Sequence, residues 1–289
     1  MALVDAATLV RHASKNGYCV VQINTNGGTY DITRAIVETA DEEQAPVIIG
    51  EYEKNLTYCG FEYSAMQMRF LGWRAKVPVA IHLDHGASIE SCAHAIEAGF
   101  TSVMIDGSHL PIAQNIEQTK KVVAMAHAKA ISVEAEVGEL QKLNPDGSMS
   151  DVKNLSDPAE VVAMSETGID MLAVGIGNAH GFYKEAPNIR FDLLEKLAAA
   201  SKVPLVLHGS TGLSDEVIQR CVKMGMAKAN LGTLIRTRFI EYLGKAIAEN
   251  KHQNHPWRAR EAAKEMLKPE IRHMLRVCGS SGRAKELSL

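Results

Sequence analysis

The chain has 289 residues, 46% hydrophobic and 22% charged, with a formal net charge of −3. Its lysines and arginines are interleaved with acids, so there is no basic stripe for nucleic acid, and no run reaches the roughly 18 apolar residues of a membrane span. Residues 1–18, which carry Asp5, Arg11 and Lys15, read as an amphipathic helix rather than a secretory leader, and the five cysteines (Cys19, Cys59, Cys92, Cys221, Cys278) are widely spaced with no CxxC pair. Reduced thiols in a cytoplasmic protein, and no cysteine-based metal site, are expected.

In chain order, short apolar and β-branched runs occupy 18–24, 46–51, 77–84, 101–107, 132–138, 171–177, 203–209 and 228–233. Between them lie helical patterns such as DITRAIVETADEEQ, SIESCAHAIEAG, DPAEVVAMSETG and SDEVIQRCVKMG. Three of these open on a Ser or Asp suited to an N-cap, and several stop at glycine. Strand, crossover helix and strand, with continuously apolar strands, predict a parallel sheet covered on both faces. Eight such units predict an α/β fold of the (β/α)8 TIM-barrel type, and no GxGxxG turn follows the first strand to suggest an open dinucleotide-binding sheet. No linker divides the chain, so residues 1–289 read as one domain, with a helical extension over about 234–289.

Active sites of such barrels lie at the C-terminal strand ends, and the polar residues gather there. Strand one ends in Asn24, strand three in Asp84-His85 and strand four in Asp106-Gly107-Ser108. Strand five carries Glu134 and Glu136, strand six leads into Asn178-Ala179-His180-Gly181, strand seven ends in His208-Gly209-Ser210, and strand eight holds Asn230 and Thr233. One histidine at a strand end is most often a hydrogen-bonded structural residue. Three at one rim, without cysteine, suit a catalytic zinc-type site that keeps a position open. By strand alternation His82 reads as support, and His94 and His109 as surface or helix residues.

Two glycine-containing loops, HGSTGLSDE and KANLGTL, precede helices after strands seven and eight, where backbone N–H groups and a helix end favour phosphate. A metal beside a phosphate pocket suggests chemistry on a phosphorylated sugar.

The motifs HLDHG (82–86), GFTSVMIDGSHLP (99–111) with NI at 115–116, VEAEVG (133–138), GNAHG (177–181), VLHGSTGL (206–213) and KANLGT (228–233) resemble, in order and over nearly the whole chain, the class II, metal-dependent fructose-bisphosphate/tagatose-bisphosphate aldolase family. The resemblance implies His85, His180 and His208 as ligands of one divalent ion per subunit, usually zinc, with Glu134 near a second metal position. It implies Asp84 as catalytic acid/base. Asn24, Gly181, Gly209, Ser210, Thr211, Asn230, Leu231, Gly232 and Thr233 become contacts for dihydroxyacetone phosphate, with a monovalent cation near Gly181 and Gly209. A homodimer or homotetramer acting on a small sugar phosphate or modified sugar is implied as well. The alternative electron sink, a Schiff-base lysine, has only Lys228 near these motifs, at the wrong end of strand eight.

Departures from the family's pattern bear on substrate. The glycine-rich GG.ED loop after strand five is replaced by GELQKLNPDGSMSDVKN, leaving Glu139, Asp146 or Asp151 as substitutes for its glutamate. After strand two, IIGEYEKN replaces a stretch with a substrate-facing serine, so Glu51 or Tyr52 should face the pocket. Leu234, followed by Arg236 and Arg238, stands where an acid is usual, and Thr211 where serine is usual. The resemblance implies reversible retro-aldol cleavage of a ketose phosphate or modified ketose to dihydroxyacetone phosphate, or dihydroxyacetone, and an aldehyde. These changes favour a catabolic side-pathway substrate (tagatose bisphosphate, a deoxy-gluconate phosphate or a sulfonated sugar) over glycolytic fructose 1,6-bisphosphate. A zinc-dependent barrel hydrolase and a non-catalytic sugar-phosphate-binding barrel are the rival readings.

Overall fold

Eight parallel strands close into a barrel in which each strand lies beside its sequence neighbours and the last pairs with the first. The strands are β1 (Val20–Asn24), β2 (Val47–Tyr52), β3 (Val79–Gly86), β4 (Ser102–Ile105), β5 (Ser132–Val137), β6 (Met171–Val174), β7 (Leu205–Leu207) and β8 (Met226–Leu231). The computed structural model describes residues 3–142, 144, 148, 155–249 and 255–287. The predicted (β/α)8 architecture is the observed one. Ser88, Asp157 and Ser214 do cap their helices, each side chain accepting from a first-turn backbone N–H.

Strand alternation sorts the barrel into layers. Residues turned outward, such as Val21, Ile23, Val47, Ile49 and Leu231, join the main core beneath the helices. The inward residues at the N-terminal end, among them Val20, Ile48, Ala80, Met104 and Ala227, form an apolar plug with Leu9, Val10 and Ala13 of the helix Ala6–Asn16. The predicted N-terminal amphipathic helix therefore closes the bottom of the barrel. Above the plug, Gln22, His82, Glu134 and Lys228 form a buried polar layer beneath the catalytic rim.

Among the described residues, the α-helices Thr233–Ala248 and Pro256–Val277 follow β8. The second lies along Tyr30–Glu43. Glu38, Glu42 and Glu43 of the earlier helix face Lys264, Lys268, Arg272 and Arg276 of the later one, an ionic seam with helical spacing. All five cysteines are free thiols. Among the described residues, no helix is long and apolar enough to cross a membrane.

Candidate active site

Asp84 and His85 are consecutive on β3, and consecutive strand residues ordinarily point to opposite faces. Here both reach one cavity. The pairing of β3 with β4 slips between Leu83 and Gly86, and His85 takes φ +52°. That left-handed conformation costs a non-glycine residue about 1–3 kcal/mol and clusters at functional sites. The slip turns His85 back to the side of Asp84. Gly86 completes it, because a Cβ there would stand 2.4 Å from the Met104 carbonyl oxygen.

His180 and His208 meet His85 from the segments that follow β6 and β7. Ring centroids lie 5.0 Å apart for His85–His180, 4.8 Å for His85–His208 and 5.9 Å for His180–His208. His180 sits on a two-residue ladder, Ala179–His180 with Gln141–Lys142, that ties the loops after β5 and β6. The Tyr183 hydroxyl accepts from Ala179 N at 2.8 Å and donates to Gly209 O at 3.1 Å, so the His180 and His208 loops are locked together.

The outward partners of two rings fix their inward nitrogens. His85 Nδ1 meets Asp106 Oδ2 at 2.7 Å, and His208 Nε2 meets Glu134 Oε1 at 2.7 Å. Each carboxylate accepts a hydrogen bond from the ring N–H it meets, which turns His85 Nε2 and His208 Nδ1 toward each other, 3.1 Å apart. Two lone pairs at that distance repel unless a cation lies between them. In the metal-free protein a proton supplies the charge. Burial pushes His85 down, but the charges of Asp84, Asp106 and Glu136 and the Asp106 hydrogen bond outweigh it and raise the imidazole to about 10. His180, buried and beside the charged His85, falls to about 3, and burial also lowers His208. The ligating atoms of His85, His180 and His208 all lie within 4.8 Å of one another, as do those of His85, Asp106 and Glu136. The donor set therefore fits a divalent ion.

Glu134, expected near a second metal position, belongs to neither grouping. Its carboxylate is spent on His208 and on Lys228 Nζ at 2.7 Å. Glu136, two residues further along β5 and hence about 6.6 Å nearer the rim, is the glutamate beside His85, with Oε2 buried and without a hydrogen-bond partner. Burial and the charge of Asp106 raise its carboxyl to about 8. The ExE pair was visible in the sequence; which member reaches the rim depends on depth along the strand.

Asp84 is held on both oxygens, by Asn24 Nδ2 at 2.7 Å and Asn230 Nδ2 at 3.0 Å. Burial opposes its charge. The positive groups around it, His85 first, and the Asn24 bond prevail and keep the carboxyl well below the usual carboxylate range. Lys228 orients Asn230 from below, donating to its Oδ1 at 2.8 Å. It is an interior strut, paired and fully buried rather than exposed at the rim. His82, expected as support, bonds Ser102 Oγ at 2.7 Å inside the barrel.

The cavity above these groups measures about 710 Å³. Asn24, Gly181, Gly209, Thr211, Asn230, Gly232 and Thr233 line it as expected; Ser210 and Leu231 do not. Ser210 Oγ is buried on Asn230 O at 2.5 Å, and Leu231, by alternation, sits in the core beneath the helices. Gly209 adopts φ +62°, and a Cβ there would lie 2.3 Å from Ala179 O. Tyr52, not Glu51, faces the cavity, its ring edge-on to His85 at 5.8 Å. His109, exposed as expected, also lines the mouth, as do Lys54, Glu139 and Arg236. Asp146 and Asp151 lie outside the described residues.

A barrel that gathers three imidazoles and an ionised carboxylate under phosphate-type loops is built for carbon–carbon bond lysis of the aldolase kind. Sequence and structure comparisons agree. The family model described as "Fructose-bisphosphate aldolase class-II" matches residues 4–283. A fructose-bisphosphate aldolase of Staphylococcus epidermidis is 39% identical over 99% of this chain and 100% of its own, and a probable fructose-bisphosphate aldolase of Bacillus subtilis is 38% identical over 98% and 100%. Among solved structures, the YdjI aldolase from Escherichia coli K12 superposes with a TM-score of 0.85 at 30% identity, over 98% of this chain and 99% of that one. The chain belongs to the class II fructose-bisphosphate aldolase family and is an aldolase.

Proposed function

We propose that the protein cleaves a ketose phosphate reversibly, by a retro-aldol reaction, into dihydroxyacetone phosphate and an aldehyde, with a zinc ion held by His85, His180 and His208. The observation that carries this reading is the convergence of three imidazoles, with ligating atoms within 4.8 Å of one another and His85 Nε2 and His208 Nδ1 3.1 Å apart, above a doubly anchored Asp84. A divalent ion bound there supplies Lewis-acid stabilisation of the enediolate that cleavage leaves behind. Asp84, kept ionised, takes the proton from the hydroxyl whose carbon becomes the aldehyde. Asn24 and Asn230 hold its two oxygens in place for that transfer. The cavity-lining backbone of Gly181, Gly209 and Gly232 and the hydroxyls of Thr211 and Thr233 suit the phosphate.

Lys54 and Arg236 line the same cavity, and among the described residues neither has a carboxylate partner. They favour a second anionic group on the aldehyde fragment, a phosphate, carboxylate or sulfonate. The relatives are named for fructose bisphosphate; tagatose bisphosphate, a deoxy-gluconate phosphate and a sulfonated ketose complete the candidate set. A coupled assay over that panel, with and without chelator, tests the reading. Full activity after stringent metal removal would sink the metal route. We read the enzyme as a cytoplasmic homo-oligomer. An exposed stripe on the helix Phe61–Arg74 (Tyr63, Met66, Phe70, Trp73) supports self-association, and sedimentation velocity tests it.

A further inference from the structure

We propose that Glu51 is a positioning residue, the built-in anion of the loop after β1, and that it sets the cavity wall carried by Asn26. The inference rests on the aldolase reading for its kinetic consequence but not for its structural one.

Asn26, Gly27 and Gly28 adopt φ of +59°, +78° and +63° in succession. The turn they make aims the Gly27 and Gly28 N–H groups into one concavity, of the kind that holds an anion. In this chain the anion comes from within. Glu51 is fully buried, and its carboxylate accepts from Gly27 N at 3.0 Å and Gly28 N at 2.8 Å. It also accepts from the Thr25 hydroxyl, from Asn55 Nδ2 at 3.2 Å and from Ser64 Oγ at 3.4 Å. All of these donors are neutral, so the charge is stabilised by convergence rather than by an ion pair. Tyr58 and Tyr63 cover Gly27 and Gly28 from outside.

The neighbouring residues are secured differently. Asn24 is fixed by its register with Gly50 and by Asp84, and Thr25 N by Gly50 O at 2.8 Å. Gly27 and Gly28 lie beyond the strand, and Glu51 is the acceptor of both their N–H groups. Asn26, between the two regimes, donates to Asn24 O at 2.7 Å and lines the cavity. Loss of the Glu51 charge should thus loosen the wall that meets substrate while leaving Asp84 in place.

The test is Glu51→Gln, the same shape with one oxygen replaced by an NH2 that opposes the donors. Hydrogen exchange of residues 25–30 should accelerate about tenfold or more. KM for the best-cleaved ketose phosphate should rise about tenfold with kcat within about threefold of wild type. Glu51→Ala empties the nest, and formate should restore its KM saturably where chloride at equal ionic strength does not. An unchanged KM, or a lower kcat at unchanged KM as expected of a mere loss of folded enzyme, overturns the proposal; so does failure of formate rescue. Should neither variant fold, the wild type decides: fast, unprotected exchange at Gly27 and Gly28 overturns it, and slow exchange supports it. A wild type inactive on the whole panel would sink the aldolase substrate reading and leave the exchange data to judge the loop.

Discussion

Glu134 accepts the Nε2 proton of His208 at 2.7 Å, and its other oxygen takes Lys228 Nζ at 2.7 Å, with all three side chains fully buried. Burial pushes the Glu134 carboxyl up; the Lys228 charge and the His208 bond outweigh it and hold it down at about 2. The contact fixes which nitrogen of His208 faces the site. Lys228→Met should cost about 3 kcal/mol, since removing one partner strands a buried charge, read as a lower urea midpoint. Zinc affinity should fall about 10–100-fold, measured by competition with a chromophoric chelator. Wild-type zinc affinity in this variant would uncouple Glu134 from the metal site.

Asp84→Asn removes the proton acceptor while keeping a hydrogen-bonding side chain between Asn24 and Asn230. The cleavage kcat should drop about 10²–10⁴-fold. Metal content, measured on the purified variant, should stay at the wild-type level, because Asp84 is in neither ligand grouping.

Zinc uptake should release a proton. With His85 raised to about 10, the metal-free site carries a proton near neutrality. The ion must displace it, so apparent zinc affinity should rise with pH until the imidazole loses its proton unaided. Calorimetry in buffers of different ionisation enthalpy counts the protons; zero release between pH 7 and 8 contradicts the His85 assignment. Chelation should abolish activity and lower the melting temperature, and added zinc should restore both.

Glu139, one of three residues weighed as a substitute for the missing loop glutamate, lines the cavity. Glu139→Gln should slow solvent-hydrogen exchange into dihydroxyacetone phosphate about 10²-fold, followed by NMR, without altering zinc affinity. Wild-type exchange would move that role to the 143–154 stretch.

The seam between helices Tyr30–Glu43 and Pro256–Val277 should respond to acid. Arg276 and Ser281 hold the Glu43 carboxyl below its usual range, and Lys264 does the same for Glu261. A carboxylate whose folded pKa is depressed gives its full stability above the unfolded value, near 4.3, and loses it as pH falls further. The seam's contribution, read as the difference in denaturation midpoint between wild type and Glu43→Gln, should therefore be constant above about pH 5 and shrink below it. Glu43→Gln should lower the neutral-pH stability by about 1 kcal/mol and flatten the acid decline.

The barrel was legible because its signals are local: apolar runs at regular intervals, Ser88, Asp157 and Ser214 as caps, and polar residues gathered at the C-terminal strand ends. The rim histidines could be read for the same reason, since the fold assigns every strand end to one face. Those features the sequence determined by itself. What it left open were matters of direction and depth. Alternation assigns Asp84 and His85 to opposite sides, and only the slipped register and positive φ of His85 bring them together. Glu134 and Glu136 share an orientation, and only their different heights in the barrel give one to Lys228 and the other to the rim. Of Glu51 and Tyr52, strand two's closing pair, the tertiary structure sent the ring into the cavity and the carboxylate into the nest of Gly27 and Gly28. A sequence specifies donors and acceptors; which of them meet depends on packing between segments far apart in the chain, where an unpartnered buried charge is too costly to remain.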